Sequence, residues 1–112
     1  MKCISFKPEF IPMIKNGTKT ITRRIKFKGV MGERYYFKAG RTGTKEGYLQ
    51  IEHVMTERLH EMEYTEIEFI KEGIPEPAKF KALWNKLNKP GYKWEDNPLV
   101  YRIVFKYLGE EI

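Results

Sequence analysis

The eight residues Gly17-Thr18-Lys19-Thr20-Ile21-Thr22-Arg23-Arg24 constrain the fold more than any other stretch of the sequence. Three threonines alternate with larger side chains, which is the β-branched, period-two pattern of a strand. The preceding Asn16-Gly17 is a typical helix end, because glycine takes the left-handed conformation there without strain at a Cβ atom. The sequence therefore predicts a helix that ends at Gly17, followed closely by a strand that holds polar groups on a rigid support.

Length and composition limit the chain to one ordinary domain, residues 1–112, with a single core. No stretch approaches the roughly 20 apolar residues of a membrane span, and the start lacks a signal peptide, so we expect a cytoplasmic protein without membrane contact. Cys3 is the sole cysteine and His53 and His60 are the sole histidines, which leads us to expect neither a metal nor another cofactor. A net charge of +6 favours anionic partners such as RNA.

Strand and helix patterns alternate along the remaining chain. A short helix follows Pro8, and the predicted strands are Cys3–Phe6, the segment after Gly17, Glu33–Ala39, Gly47–Arg58 and Leu99–Leu108. Capping signals and an apolar stripe predict two further helices, at about Glu66–Glu72 and Pro77–Asn88. This arrangement indicates an α+β domain built on a small, mainly antiparallel β-barrel, with the helices packed at the connections.

Three segments leave a choice between packing and ligand binding. Gly40–Thr44 is predicted to be a hairpin connection, with a phosphate-contacting loop as the alternative. His53 falls on the apolar face of its strand beside Leu49, Ile51 and Met55, which predicts a hydrogen-bonded core residue, or else a pocket-lining one. Tyr92 and Trp94 lie in an irregular loop, where large aromatic side chains either pack or contact a ligand.

The pattern Gly17-x-Lys19-x-x-Thr22-x-Arg24 resembles the signature of the ASCH domain family, GxKxxTxR, at all four positions. Gly32-Glu33 and Glu72-Gly73 agree with the family as well, and the segment from Leu83 to Phe105 looks like the C-terminal part of phage ASCH proteins. The resemblance implies a PUA-like β-barrel. It also implies an RNA-related function, with RNA or a modified nucleoside or nucleotide bound in a basic cleft beside the barrel.

Small bacterial members of that family remove the acetyl group of N4-acetylcytidine, and the resemblance carries their proposed catalytic residues onto Lys19, Thr22 and Glu72. A threonine hydroxyl attacks only if a base takes its proton, and a lysine serves as that base only if burial lowers its pKa. A nearby Glu72 would instead stabilise the ammonium, which makes Lys19 an oxyanion binder and Glu72 the base. Both assignments stay open. Lys19 can join Thr22 only if the strand begins after Lys19.

The sequence leaves two functions to compare, an RNA or nucleoside binder and an amidohydrolase. Ligand contacts are expected from a set of small, cationic and aromatic residues, namely Gly17, Thr20, Arg23, Arg24, Lys38, Tyr92 and Trp94. A nuclease is a weaker third hypothesis, because the sequence has no cluster of acidic residues for metal ions. A purely structural interpretation, with threonines as strand formers and solvated charges, is the remaining alternative.

Overall fold

The fold consists of one five-stranded sheet and three α-helices, in a computed structural model that describes residues 1–111. The strands are β1 (Lys2–Phe6), β2 (Ile21–Arg24), β3 (Arg34–Ala39), β4 (Lys45–Arg58) and β5 (Leu99–Gly109). The helices are α1 (Ile11–Lys15), α2 (Ile67–Glu72) and α3 (Pro77–Leu87). Single 3-10 helices cover Pro8–Phe10, Leu59–Tyr64 and Trp94–Asp96. None of the described helices has the length and hydropathy that crossing a membrane requires.

The sheet is mixed and open. Its order is β1-β3-β4-β5-β2, with β1 parallel to β3 and every other pairing antiparallel. The α+β class is confirmed, but the closed barrel is not, because β1 and β2 are edge strands that do not pair with each other within residues 1–111. One side chain spans the gap where a barrel would close, since Nη2 of Arg24 donates to the carbonyl oxygen of Ser5 at 2.7 Å.

Two hydrophobic cores lie on opposite faces of this sheet. The first contains α1 and the inward side chains of the strands, among them Ile4, Phe6, Phe37, Leu49, Ile51, Ile103 and Phe105. The second is covered by α2, α3 and the 3-10 helix at 59–64, and contains Leu59, Met62, Phe69, Phe80, Trp84 and Val100. Strand β5 contributes to both cores, with Val100 in the second and Ile103 and Phe105 in the first. Sequence patterns did not predict the 3-10 helix at Leu59–Tyr64.

A β-bulge at Glu52 lets β4 change faces. Ile51 lies opposite Phe105 and His53 opposite Val104, so Glu52 is an extra residue without a counterpart on β5. Because strand side chains alternate between faces, the bulge reverses the alternation from that point on. The prediction of His53 as a core residue is therefore wrong: His53 is exposed and Val54 packs against the first core instead. Met55 is 43% exposed for the same reason.

The chain around Gly17 folds as its sequence predicts. Gly17 follows the α1 cap residue Asn16 and has a φ of 82°, which is the left-handed region. Strand β2 begins at Ile21, so Lys19 precedes the strand and is free of its alternation. The Gly40–Thr44 segment joins the antiparallel strands β3 and β4, which confirms the hairpin connection.

Candidate functional site

A cleft of about 540 Å³ opens in the gap between the edge strands β1 and β2. Residues at the ends of these strands form one side of it, and α2 and α3 form the other. Its polar and charged lining includes Ser5, Lys7, Lys19, Thr22, Arg23, Arg24, Arg41, Glu72 and Asn88. Its apolar lining includes Phe6, Phe10, Ile25, Ile74, Phe80, Leu83, Trp84 and Leu87. The failure of the sheet to close is thus what creates the cleft.

Lys19 lies at the bottom of the cleft with only 2% of its surface exposed. Its Nζ donates to the carbonyl oxygen of Glu72 at 2.6 Å, to the carbonyl oxygen of Ile21 at 3.0 Å and to Oε1 of Glu72 at 3.2 Å. Burial lowers the pKa of Lys19, while the Glu72 carboxylate opposes that shift. Since an ammonium has three N–H groups and all three are donated, this geometry is that of a protonated, fully hydrogen-bonded lysine.

The local sequence fixes Lys19 between two helix ends. Its backbone N–H donates to Met13 of α1 at 3.0 Å, and that of Thr20 donates to the Lys71 carbonyl of α2 at 2.9 Å. Helix α2 stops directly after Glu72, because Gly73 adopts a φ of 91°. The last carbonyl groups of α2 therefore face Lys19, and a cation is favoured at a helix C-terminus.

Behind Lys19, a buried ion network holds Glu72 in place. Arg23 has a fully buried side chain, and its Nη1 donates to Oε2 of Glu72 at 3.0 Å. The same guanidinium donates to Glu57 at 3.3 Å and to Glu68. Arg102 donates to Glu68 at 2.7 Å, and that hydrogen bond is the first cause that holds the pKa of Glu68 at about 2. With Lys19, three cations balance three carboxylates.

Sequence reasoning missed most of this network. Glu57, Glu68 and Arg102 join Arg23 only through tertiary contacts across the sheet and α2. One signal was present, because Glu68 and Glu72 are like charges one turn apart on a helix, an arrangement that needs nearby cations. Arg23, expected to contact a ligand, lines the cleft, but its guanidinium donates to the carboxylates of Glu57, Glu68 and Glu72.

Thr22 and Arg24 present polar groups to the upper part of the cleft. Thr22 is 5% exposed, and its Oγ1 accepts a long hydrogen bond of 3.4 Å from Nε of Arg24. The Arg24 guanidinium lies over the ring of Phe6, 5.1 Å from its centroid, while Nη2 binds the Ser5 carbonyl. Nη1 of Arg24 has no hydrogen bond to any residue in the described range, which leaves it available to a ligand.

Five of the expected ligand-binding residues do not line this cleft. Gly17 is an exposed helix end, and Thr20 uses its backbone groups for hydrogen bonds with Lys71 and Phe105. Nζ of Lys38 donates to the Arg41 carbonyl at 2.6 Å in the hairpin. Trp94 packs elsewhere, against His60 and Phe80. The Tyr92 backbone carbonyl accepts from Trp84, and Nζ of Lys89 lies 5.6 Å from the centroid of the Tyr92 ring. Packing with α3 therefore accounts for Trp94.

The apolar wall of the cleft comes from side chains that the sequence assigned to the core. The stripe of α3 places Phe80 and Trp84 in the second core, as predicted, but Leu87 is 58% exposed at the cleft rim. Leu83 is half-buried, lines the cleft and packs against the first core. A single apolar stripe therefore serves both packing and the cleft, which is why periodicity alone did not separate the two roles.

Comparison with known proteins identifies the fold. No family model and no curated protein matches the sequence. The ASCH domain from Lactobacillus crispatus JV V101 superposes with a TM-score of 0.73 at 11% identity, over 96% of this chain and 80% of that one. Protein EF3133 from Enterococcus faecalis gives 0.74 at 11% identity, over 97% and 77%. Hypothetical protein PH0355 gives 0.70 at 17% identity, over 96% and 100%.

This chain has the ASCH-domain fold. At these identities the similarity concerns the fold alone. It agrees with the ASCH resemblance of the Gly17-x-Lys19-x-x-Thr22-x-Arg24 pattern, while the closed barrel is not confirmed. Within this ASCH-domain fold, three of the four residues in that pattern line the cleft, and Gly17 provides the turn before them. The described residues include no group of three or more His, Cys, Asp or Glu placed to hold a metal ion.

Proposed function

We propose that this protein binds a nucleoside or nucleotide unit of RNA in the cleft between β1 and β2. The observation that carries the proposal is the composition of the cleft: an apolar wall from α3 faces Thr22, Arg24 and the Lys19–Glu72 pair. A volume of about 540 Å³ lies in the range of small-molecule sites, which are mostly apolar with a few placed polar groups. A flat base fits such a slot.

The charges of the cleft favour an anionic nucleotide over a neutral one. Lys19 and Glu72 neutralise each other, and Arg23 is neutralised by its carboxylates. Arg24 forms no ion pair with any residue from 1 to 111, and Lys7 and Arg41 also line the cleft. Arg24 is therefore a cationic group that remains unneutralised, and it lies beside the Thr22 hydroxyl. One nucleotide could place its phosphate against Arg24 and the polar edge of its base against Thr22.

Isothermal titration calorimetry with cytidine and cytidine monophosphate tests the proposal. Thr22→Val keeps the shape of the side chain but removes the hydroxyl, and should weaken binding roughly 2- to 10-fold, as expected for one hydrogen bond. Thr56→Val is the matched control, because Thr56 is exposed on β4 and lies outside the cleft. Failure of both ligands to bind the unmodified protein, or equal effects of the two substitutions, would contradict the proposal.

A second candidate, hydrolysis of an acylated nucleoside, is supported by the convergence of Lys19, Thr22 and Glu72 on one cleft. In that reaction Oγ1 of Thr22 attacks the acyl carbonyl carbon, the C–N bond breaks, and the released amine takes a proton. Water then cleaves the acyl-threonine ester. Since the Lys19 ammonium has no lone pair, Glu72 is the proton acceptor, and Lys19 stabilises the oxyanion by giving up one of its carbonyl contacts.

Mass spectrometry of N4-acetylcytidine incubated with the protein separates the two candidates. Hydrolysis predicts release of cytidine by the unmodified protein and by Thr56→Val, with loss of turnover in Thr22→Val. Circular dichroism of each variant reports whether it is folded. Unchanged substrate after long incubation with the unmodified protein eliminates hydrolysis and leaves binding as the function.

A further inference from the structure

A second, more open groove of about 620 Å³ adjoins the cleft along β1. It runs along β1 and the segment after β2, and its lining includes Lys2, Lys26, Phe27, Lys28 and Tyr35. Ser5 and Arg24 line both concavities. Their hydrogen bond is therefore the ridge between the two, and a ligand that passes over Arg24 leaves the cleft and enters the groove.

The groove is cationic, and two of its charges are unpaired. Lys2 forms an ion pair with Glu33 at 3.1 Å. Lys26 and Lys28 are exposed, and neither forms an ion pair or a side-chain hydrogen bond with any residue from 1 to 111. No acidic residue lines the groove. Arg24 adds a third cation, with Nη1 free.

The positions of the two free lysines are fixed by the aromatic residue between them. The Phe27 ring stacks on Tyr35 with a centroid distance of 5.6 Å and an interplanar angle of 29°. Gly29 lets the chain stay close to this pair, because a Cβ atom there would lie 2.6 Å from the Tyr35 hydroxyl oxygen. Phe27 is thus anchored to the sheet, and Lys26 and Lys28 on either side of it remain exposed above the groove.

We infer that the groove binds the phosphodiester backbone of the nucleotides next to the one held in the cleft. The ligand is then a single-stranded RNA, threaded over Arg24, rather than a free nucleoside. This inference rests on the proposed function and extends it, since a nucleoside alone would leave Lys26 and Lys28 without a role. Ammonium groups on a strand-edge segment bind phosphates as point charges and do not select a base.

Fluorescence anisotropy and calorimetry of one double variant test the inference. The probes are cytidine monophosphate and an oligocytidine RNA of about eight nucleotides, a length typical of single-strand sites. The double variant Lys26→Ala, Lys28→Ala should leave the affinity for cytidine monophosphate unchanged and weaken oligonucleotide binding about 10-fold. In a plot of the logarithm of oligonucleotide affinity against the logarithm of salt concentration, its slope should be shallower by about 1.4. Lys79→Ala with Lys106→Ala is the control, because it removes the same charge at exposed positions outside both concavities.

Each outcome decides a separate point. Equal weakening by the test and control pairs, or unchanged oligonucleotide affinity in the test pair, overturns the groove site and leaves the cleft function standing. Failure of cytidine monophosphate to bind the unmodified protein counts against the cleft function, and the oligonucleotide data then decide the groove alone. Vesicles containing phosphatidylserine form the last arm: if the test pair weakens vesicle binding but not RNA binding, the groove contacts a membrane and the inference is wrong.

Discussion

Nζ of Lys19 donates to both the backbone carbonyl oxygen and the side-chain carboxylate of Glu72, at 2.6 and 3.2 Å. The side chain of a residue that directly precedes the edge strand β2 is thereby fastened to the end of α2 at two points. Lys19 is 2% and Glu72 is 4% exposed, so water cannot replace either contact. This pair joins the helix to the sheet edge and places both groups at the bottom of the cleft.

Lys19→Met should strongly destabilise the fold. The substitution preserves the apolar part of the side chain but leaves the Glu72 carboxylate with one fewer cation and two carbonyl oxygens without their donor. Breaking a buried ion pair in this way costs about 3–5 kcal/mol of unfolding free energy. Urea denaturation measures the effect, with Lys106→Met as the control. That exposed lysine should change stability by less than about 0.5 kcal/mol, and similar losses in both variants would contradict the pairing.

Glu68→Gln should change how stability responds to acid. The pKa of Glu68 in the folded protein is about 2, below its ordinary value of 4.5, chiefly because Arg102 donates to it. A carboxyl group with a depressed pKa stabilises the fold above its unfolded pKa, and this contribution is lost as the pH falls toward the folded pKa. The variant should be less stable at neutral pH and should lose stability less steeply from about pH 5 to about pH 2.

Glu57→Gln provides the opposite case within the same network. Burial raises the pKa of Glu57, so protonation on acidification favours the folded state. In the Glu57→Gln variant, the unfolding free energy should therefore fall more steeply as the pH is lowered than it does in the unmodified protein. Chemical denaturation of both variants over the same pH series checks the two signs together. Parallel curves of unfolding free energy against pH for the two variants would show that the pKa values of Glu57 and Glu68 are not shifted in opposite directions in the folded protein.

Gly73→Ala should destabilise the protein more than Gly17→Ala. Both glycines have a left-handed φ, 91° and 82°, so each substitution carries a strain of about 1–2 kcal/mol. A Cβ atom at Gly17 meets open space, whereas one at Gly73 lies 3.1 Å from Sδ of Met13 and 3.3 Å from the Phe10 ring. Overpacking should add about 1 kcal/mol at Gly73. Equal losses of unfolding free energy in thermal or urea unfolding would show that Met13 and Phe10 accommodate the added Cβ atom without cost.

Arg24→Gln should weaken mononucleotide and oligonucleotide binding together. Arg24 lines both the cleft and the groove, unlike Lys26 and Lys28, which line the groove alone. Loss of this cation should lower both affinities by about 10-fold. Arg34→Gln is the control, since Arg34 is exposed on β3 and lines neither concavity. An effect on one ligand only would show that the two concavities do not share Arg24 in binding.

Local signals in the sequence predicted the elements around the cleft. Gly17 marks the end of α1, and Gly73 marks the end of α2, because a left-handed residue there requires glycine. The start of β2 after Lys19 followed from the same helix cap. These features depend on a few neighbouring residues. The resemblance to the ASCH signature, and not local pattern, implied that Lys19, Thr22 and Glu72 share one site, and all three line the cleft.

Features that depend on distant partners were not predicted. The ion network joins Arg23 to Glu57, Glu68 and Glu72, which lie 34 to 49 residues away in sequence. The open sheet could not be distinguished from a barrel, because strand patterns do not show whether the first and last strands of a sheet meet. Tyr92 and Trp94 have the composition of a binding loop, but neither lines the cleft, and only the position of α3 shows that the Trp94 ring packs against Phe80.

The bulge at Glu52 determines which side of the sheet Glu57 reaches. Without the bulge, and with Glu52 paired as an ordinary strand residue, Glu57 would share a face with Leu49 and Ile51 and would place a carboxylate in the first core. With it, Glu57 lies on the face of Arg23 and Arg102 and completes the balance of charges. Deleting one residue between His53 and Glu57 would therefore turn Glu57 to the other face, leave Arg23 one acceptor short and bury an unpaired anion in the first core, whereas deleting Glu52 itself would remove only the bulge. The charge balance beneath the cleft depends on the number of residues between the bulge and Glu57, and one-residue length changes in that part of β4 should be tolerated far less than substitutions at its exposed positions.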